Sequence, residues 1–194
     1  MIIYLHGFNS GGRSQKAAWL RHHLAPAVVF APGYEPHRAR AAERELRKFI
    51  ARLRRENLQD RKLLLIGGSL GGFWAQYLAP EFGAAMVLIN PSLRPDETLA
   101  RYVGRYRNEA TGGTTVLTAD NLAALRAYRV EPCNRKVPTL VLLDAGDTVL
   151  DYRVAEGAYY SCGQTIVFPG GSHRFEHLLE ALPAIRHLYE TATG

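Results

Sequence analysis

The chain has 194 residues, 47% hydrophobic and 22% charged, with a formal net charge of +6 that is mostly arginine. That length allows one sizeable core, and the composition is that of an ordinary globular protein rather than a disordered or fibrous one. No apolar run approaches the roughly 20 residues of a membrane-spanning helix. The opening Met1-Ile2-Ile3-Tyr4-Leu5-His6-Gly7 lacks the basic region and apolar length of a signal peptide, so a cytoplasmic location is expected. Two cysteines, Cys133 and Cys162, do not suggest a disulfide framework, and reduced thiols are expected. No Cys/His grouping has zinc-ligand spacing, so neither a metal nor a cofactor is expected.

Along the chain, short apolar runs occupy residues 2–5, 28–30, 63–66, 86–89, 140–143 and 165–168. They are nearly continuous rather than alternating, as in strands buried on both faces of a parallel sheet. Helical stretches lie between most of them, over 14–24, 39–57, 70–82 and 151–160, with one or two between 96 and 128. A last helix is predicted over 174–191, with a break or bend around Pro183. Strands alternating with helices imply βαβ units with right-handed crossovers. There are no repeats, low-complexity tracts or linkers, so residues 1–194 read as a single domain.

The arginine-rich stretch 38–55 is an amphipathic helix. Ala42, Leu46, Phe49, Ile50 and Leu53 form one apolar stripe, and the arginines share the other face with Glu43, Glu45 and Glu56. A solvated helix face explains this charge, and no aromatic interleaving marks it for nucleic acid. One connection is out of proportion: roughly fifty residues separate Pro91 from Pro138, far more than a crossover helix needs. It contains a Gly-Gly-Thr-Thr turn at 112–115 and a helix-like stretch from Asp120, a plausible cap. Residues 92–137 are expected either to form a small cap over the carboxyl ends of the strands or to be a structural excursion without a role in binding.

The sequence Gly67-Gly68-Ser69-Leu70-Gly71 fits G-x-S-x-G between the strand-like 63–66 and the helix-like 70–82. Strand, sharp turn and helix is the context of a nucleophile elbow. A serine that attacks a carbonyl must stand clear of the backbone, and side chains at 67 and 71 would collide with the tight turn. A serine also needs a base and an orienter. His173 follows the last strand after a Gly-Gly turn and is the best-placed base. His22, His23, His37 and His187 sit in polar or helical surface contexts, and His177 reads as a helix-face residue. Asp147, in a turn after the fifth strand, is the favoured acid; Asp144 competes with it, and Asp151 reads as a helix cap. The backbone N–H of Leu70, at a helix N-terminus, is one expected oxyanion donor. The N–H of Phe8, in the glycine-rich loop after His6-Gly7, is the other, with His6 bracing that loop.

Taken together, IIYLHGFNS, IGGSLGGFWA, LVLLDAGDTVLDY and FPGGSHRFE resemble the α/β-hydrolase superfamily, and within it the small bacterial YqiA-type esterases. The resemblance runs in order across essentially the whole chain. It implies Ser69 as nucleophile, Asp147 as acid and His173 as base. It also implies a reduced α/β-hydrolase fold, without the two N-terminal antiparallel strands of the superfamily. The remaining six parallel strands are expected in the order 2-1-3-4-5-6, with helices on both faces. The expected activity is hydrolysis of a small-molecule carboxylic ester, with Phe8, Leu70 and Trp74 as candidates for an apolar acyl site. Two alternatives stay open: an acyl-CoA thioesterase using the same residues, to which the excess arginine would suit an anionic leaving group, and a non-catalytic hydrolase-like binding scaffold.

Overall fold

In a computed structural model of the protein, residues 1–57, 62–108 and 112–192 are described. The elements run β1 (Ile2–Leu5), α1 (Gln15–His23), β2 (Val29–Phe30), α2 (Ala39–Glu56), β3 (Leu64–Gly68), α3 (Leu70–Phe82) and β4 (Ala85–Ile89). Then follow α4 (Pro95–Thr98), a 3₁₀ turn (Ala100–Tyr102), β5 (Gly104–Arg107), β6 (Thr114–Leu117) and α5 (Ala119–Arg126). The chain closes with β7 (Thr139–Asp144), α6 (Tyr152–Tyr159), β8 (Gln164–Phe168) and α7 (Leu178–Thr191).

Six strands form a parallel sheet in the order β2-β1-β3-β4-β7-β8. This is the order expected from the sequence, with β5 and β6 set apart as an antiparallel hairpin. Strand side chains alternate between two cores. Ile3, Leu5 and Leu65 pack with α2, α3, α5 and α6, whereas Ile2, Tyr4, Leu64 and Ile66 pack with α1 and α7. Continuous apolar runs are what the four central strands require, because neither face of β1, β3, β4 or β7 meets water. Each fully buried Leu or Ile contributes about 1.5–3 kcal/mol. In α2 the predicted stripe faces this core, Ala42, Leu46, Ile50 and Leu53 being buried and Phe49 partly so. The solvated face carries Arg47 bridged to Glu43 and Glu81. Among the described residues, no helix is long and apolar enough to cross a membrane.

Several expectations need correction. α7 begins at Leu178 rather than 174 and continues through Pro183 without a break. Its expected first turn is diverted, because the Asp144 carboxylate captures the Glu176 N–H and the His177 ring. The N-cap of α5 is Thr118 in a capping box with Asn121, not Asp120. Thr114 and Thr115 lie in a strand of the β5–β6 hairpin, where a turn was expected; residues 109–111 of that connection lie outside the described ones. His37 is buried rather than on the surface, its ring edge-on to Phe8. Cys133 and Cys162 are not separate thiols but form a disulfide, the chain after α5 returning against the end of α6 with the two Cα atoms 5.3 Å apart.

The insertion between β4 and β7 is held by charge. Asp96 at the start of α4 is buried and accepts from Arg126 (3.1 Å) and, through both oxygens, from Arg129 (2.7 and 2.6 Å) near the end of α5. Burial alone would raise this carboxyl, but the Arg129 and Arg126 hydrogen bonds outweigh it and hold it below its ordinary value of 3.8. Because the folded value is depressed, the stabilisation is present in full above the unfolded value and is lost as the pH falls through the folded one. Asp96→Asn therefore destabilises the protein by about 3 kcal/mol at neutral pH. Urea denaturation followed downward in pH should find the gap between variant and parent closing only below about pH 4.

Candidate active site

β3 ends in the elbow. Ser69 sits at φ 52° and ψ −120°, a conformation that a non-glycine residue adopts only when its surroundings enforce it. They do so here through the backbone: the Ser69 N–H donates to the Ile89 carbonyl (3.0 Å), and its own carbonyl accepts from Gly72 (2.9 Å) and Ser92 (3.1 Å). The flanking glycines are steric necessities. A Cβ on Gly67 would lie 2.4 Å from the Gly71 carbonyl oxygen, and one on Gly71 would lie 2.0 Å from that of Leu5 in β1.

The loops after β7 and β8 bring the other predicted residues to this turn. Ser69 Oγ is 3.0 Å from His173 Nε2, and His173 Nδ1 is 2.8 Å from Asp147 Oδ2. An ionised carboxylate only accepts, so Nδ1 carries the proton and donates to Asp147, leaving Nε2 to accept from Ser69. The other Asp147 oxygen accepts the N–H groups of Val149 (2.8 Å) and Leu150 (2.9 Å). Burial tends to raise the Asp147 carboxyl, but the His173 bond and these two amides hold it below the ordinary carboxylate value. Asp147 thus occupies the position beside His173, and Asp144 does not. Asp144 is instead fully buried and pairs with His177 Nδ1 at 2.7 Å.

The loop after β1 lies against the serine. A Cβ on Gly7 would come within 3.1 Å of the Ser69 Cβ. Neither the Phe8 nor the Leu70 N–H is taken up by a backbone carbonyl among the described residues. His6 braces the loop as expected, its Nδ1 3.0 Å from the Gly7 carbonyl and its own carbonyl accepting from Tyr34 (2.8 Å). Burial lowers its pKa, outweighing the Gly7 hydrogen bond that would raise it. Ser69 and His173 border a cavity of about 320 Å³, together with Phe8, Leu99, Tyr102 and Tyr106. Leu70 also borders it, but Trp74 does not; its indole is fully buried and donates to the Pro36 carbonyl. A larger space of about 460 Å³, beside Met1, Leu24 and Tyr189, holds none of the predicted site residues.

The sequence reading did not single out Leu99, Tyr102 and Tyr106, which the insertion brings to the cavity, or Asn90. The signal for Asn90 was its place at the end of a strand, directly before Pro91.

The model of a family described as "Uncharacterised protein family (UPF0227)" matches residues 1–190. The chain belongs to UPF0227. A UPF0227 protein of Serratia proteamaculans is 28% identical over 191 residues, covering 96% of this chain and 97% of that relative. Among solved structures, Est1E of Butyrivibrio proteoclasticus with ferulic acid bound superposes with a TM-score of 0.76 at 16% identity, over 98% of this chain and 88% of that one. A monoacylglycerol lipase of Paleococcus ferrophilus gives 0.66 at 17% identity, over 97% and 93%. At such identities these likenesses show the fold, and this UPF0227 chain has the α/β-hydrolase fold.

Proposed function

We propose that the protein is a serine hydrolase that cleaves small carboxylic esters through an acyl-enzyme on Ser69. The observation that carries this reading is the continuous hydrogen-bond line Ser69–His173–Asp147 opening on a largely apolar cavity. Ser69 Oγ attacks the ester carbonyl while His173 Nε2 takes its proton. Asp147 keeps the proton on Nδ1 and stabilises the imidazolium that forms. The N–H groups of Phe8 and Leu70 donate to the oxyanion, Leu70 with the added field of the α3 N-terminus. The tetrahedral species collapses as His173 returns its proton to the leaving alcohol. A water then attacks the acyl-enzyme with His173 as base, releasing the acid and free Ser69. In this reading the chain is one hydrolase domain and residues 92–137 are its cap. The cavity lies at the small end of the range for ligand sites, which suits a short acyl or aryl group.

Incubation with a fluorophosphonate tests the reading. The parent should gain one probe, recovered on the Ser69 peptide, and Ser69→Ala should gain none. A parent that takes up no probe would instead be a binding scaffold. Substrate preference separates ester from thioester: rates on p-nitrophenyl esters should fall as the acyl chain lengthens and vary little with salt. Faster turnover of acyl-CoA with a steep salt dependence would favour the thioesterase.

A further inference from the structure

The buried Asp144 carboxylate and the Asn90 side chain hold the peptide units on both sides of His173. We propose that Asp144, with Asn90 and His177, is a positioning residue that sets the His173 imidazole between Ser69 and Asp147; the inference rests on the serine-hydrolase reading.

Asp144 ends β7 and is fully buried. Its Oδ2 accepts the N–H groups of Ser172 (3.1 Å) and Glu176 (2.8 Å), and its Oδ1 accepts from His177 Nδ1 (2.7 Å). The adjoining strand completes the frame. Asn90, at φ 41° just past β4, accepts the Asp144 N–H (2.9 Å) and donates to the carbonyls of Ser172 (3.0 Å) and His173 (3.4 Å). From the other side, Lys16 in α1 donates to the Arg174 carbonyl (2.6 Å). The loop between Gly171 and His177 is thus tied to β4, β7 and α1, although it has no regular structure of its own.

The fit around the carboxylate is tight. A Cβ on Gly171 would lie 2.0 Å from Asp144 Oδ2, so only glycine lets the loop come this close. His177 is held on its other side by stacking on Phe168, with ring centroids 5.0 Å apart and planes within 7°. The carboxylate in turn raises the His177 pKa. Two aspartates three positions apart therefore serve two histidines four positions apart. Asp147 faces the reacting side of the loop, and Asp144 faces the side by which the loop is hung. A buried carboxylate that accepts three donors is costly to remove, because each donor is left without a partner. The loss falls on the segment that carries the base, where a displacement near 1 Å costs about 100-fold in rate.

The test compares Asp144→Ala and Asp144→Asn with the parent, using Tyr159→Phe as a control for lost stability. Tyr159 donates to Gln76 inside the helical layer, away from the loop. Asp144→Ala should lower kcat about 100-fold with KM changed little. Asp144→Asn, which keeps one acceptor oxygen, should recover about tenfold of that loss. The far-downfield proton resonance of the His173 Nδ1–H bond should weaken or vanish in Asp144→Ala and persist in the control. Should Asp144→Ala fail to fold, Asp144→Asn and His177→Ala read the same resonance and the same kcat. Parent-like kcat with an intact resonance in the folded variants overturns the proposal, as does a kcat loss no larger than that of an equally destabilised control. The resonance reports the base whatever the nucleophile. If Ser69→Ala retained full hydrolysis, the serine-hydrolase reading would fall while the positioning of His173 was still decided.

Discussion

Ser69→Ala is expected to lower kcat for a short p-nitrophenyl ester by about 10⁶-fold, with KM nearly unchanged and the fold intact. In the proposed mechanism Ser69 Oγ is the atom that bonds to the acyl group, so nothing else on the line can replace it. His173→Ala should cost about as much, because without a base the hydroxyl at 3.0 Å keeps its proton. The double variant Ser69→Ala/His173→Ala should then be no slower than either single one, since the line works as a unit. Asp147→Asn should lose about 10⁴-fold. Its amide can donate to Nδ1 and favour the tautomer in which Nε2 carries the proton and can no longer accept from Ser69. Steady-state kinetics on the four proteins check the whole pattern. Losses that multiplied in the double variant would mean that Ser69 and His173 act independently.

Gly71→Ala should destabilise the protein by about 3 kcal/mol or more, a large share of the 5–15 kcal/mol that holds a domain together. The added methyl would lie 2.0 Å from the carbonyl oxygen and 2.6 Å from the carbonyl carbon of Leu5. Leu5 belongs to β1, hydrogen-bonded between β2 and β3, so no flexible side chain can move aside. Gly83→Ala makes the contrast. There the Cβ meets open space, and only the left-handed φ of 57° opposes it, at a cost of about 1 kcal/mol. Chemical denaturation of the two variants should show this difference in midpoint. A Gly71→Ala protein as stable as the parent would mean that β1 and α3 sit farther apart than described.

Much of the framework could be read from the residues because the physics behind it is local or nearly so. Strands buried on both faces must be apolar throughout, so β1, β3, β4 and β7 stood out as runs; the edge strands β2 and β8 stood out too, although they are only partly buried. The elbow was legible because steric exclusion leaves only glycine at 67 and 71. Ser69, Asp147 and His173, which the structure brings together, could be singled out because each follows a strand of one parallel sheet, whose carboxyl ends share an edge. The hairpin was missed for the opposite reason. Gly104–Arg107 and Thr114–Leu117 alternate inward and outward residues with only one face covered, and runs of apolar residues do not reveal such strands. The disulfide was missed because Cys133 and Cys162 meet only after β7 and α6 have turned the chain back. The choice between Asp144 and Asp147 could not be made from spacing alone. Both lie near the end of one strand, and only the course of the 170–177 loop decides which histidine each one meets.

The hydrogen bond from the Ser92 N–H to the Ser69 carbonyl bears on how this protein could be rebuilt. The insertion does not start at a free joint: its first residue is stitched to the strained residue of the elbow. A graft that replaces the insertion with one from another protein of this fold therefore has its upstream seam after Ser92, with Asn90, Pro91 and Ser92 retained. Its downstream seam falls before Thr118, the N-cap of α5, because Leu122 and Leu125 are buried in the core and Cys133 is bonded to Cys162. Between those seams the insert is open to exchange, and with it the shape of the cavity, while the backbone that strains Ser69 stays in place.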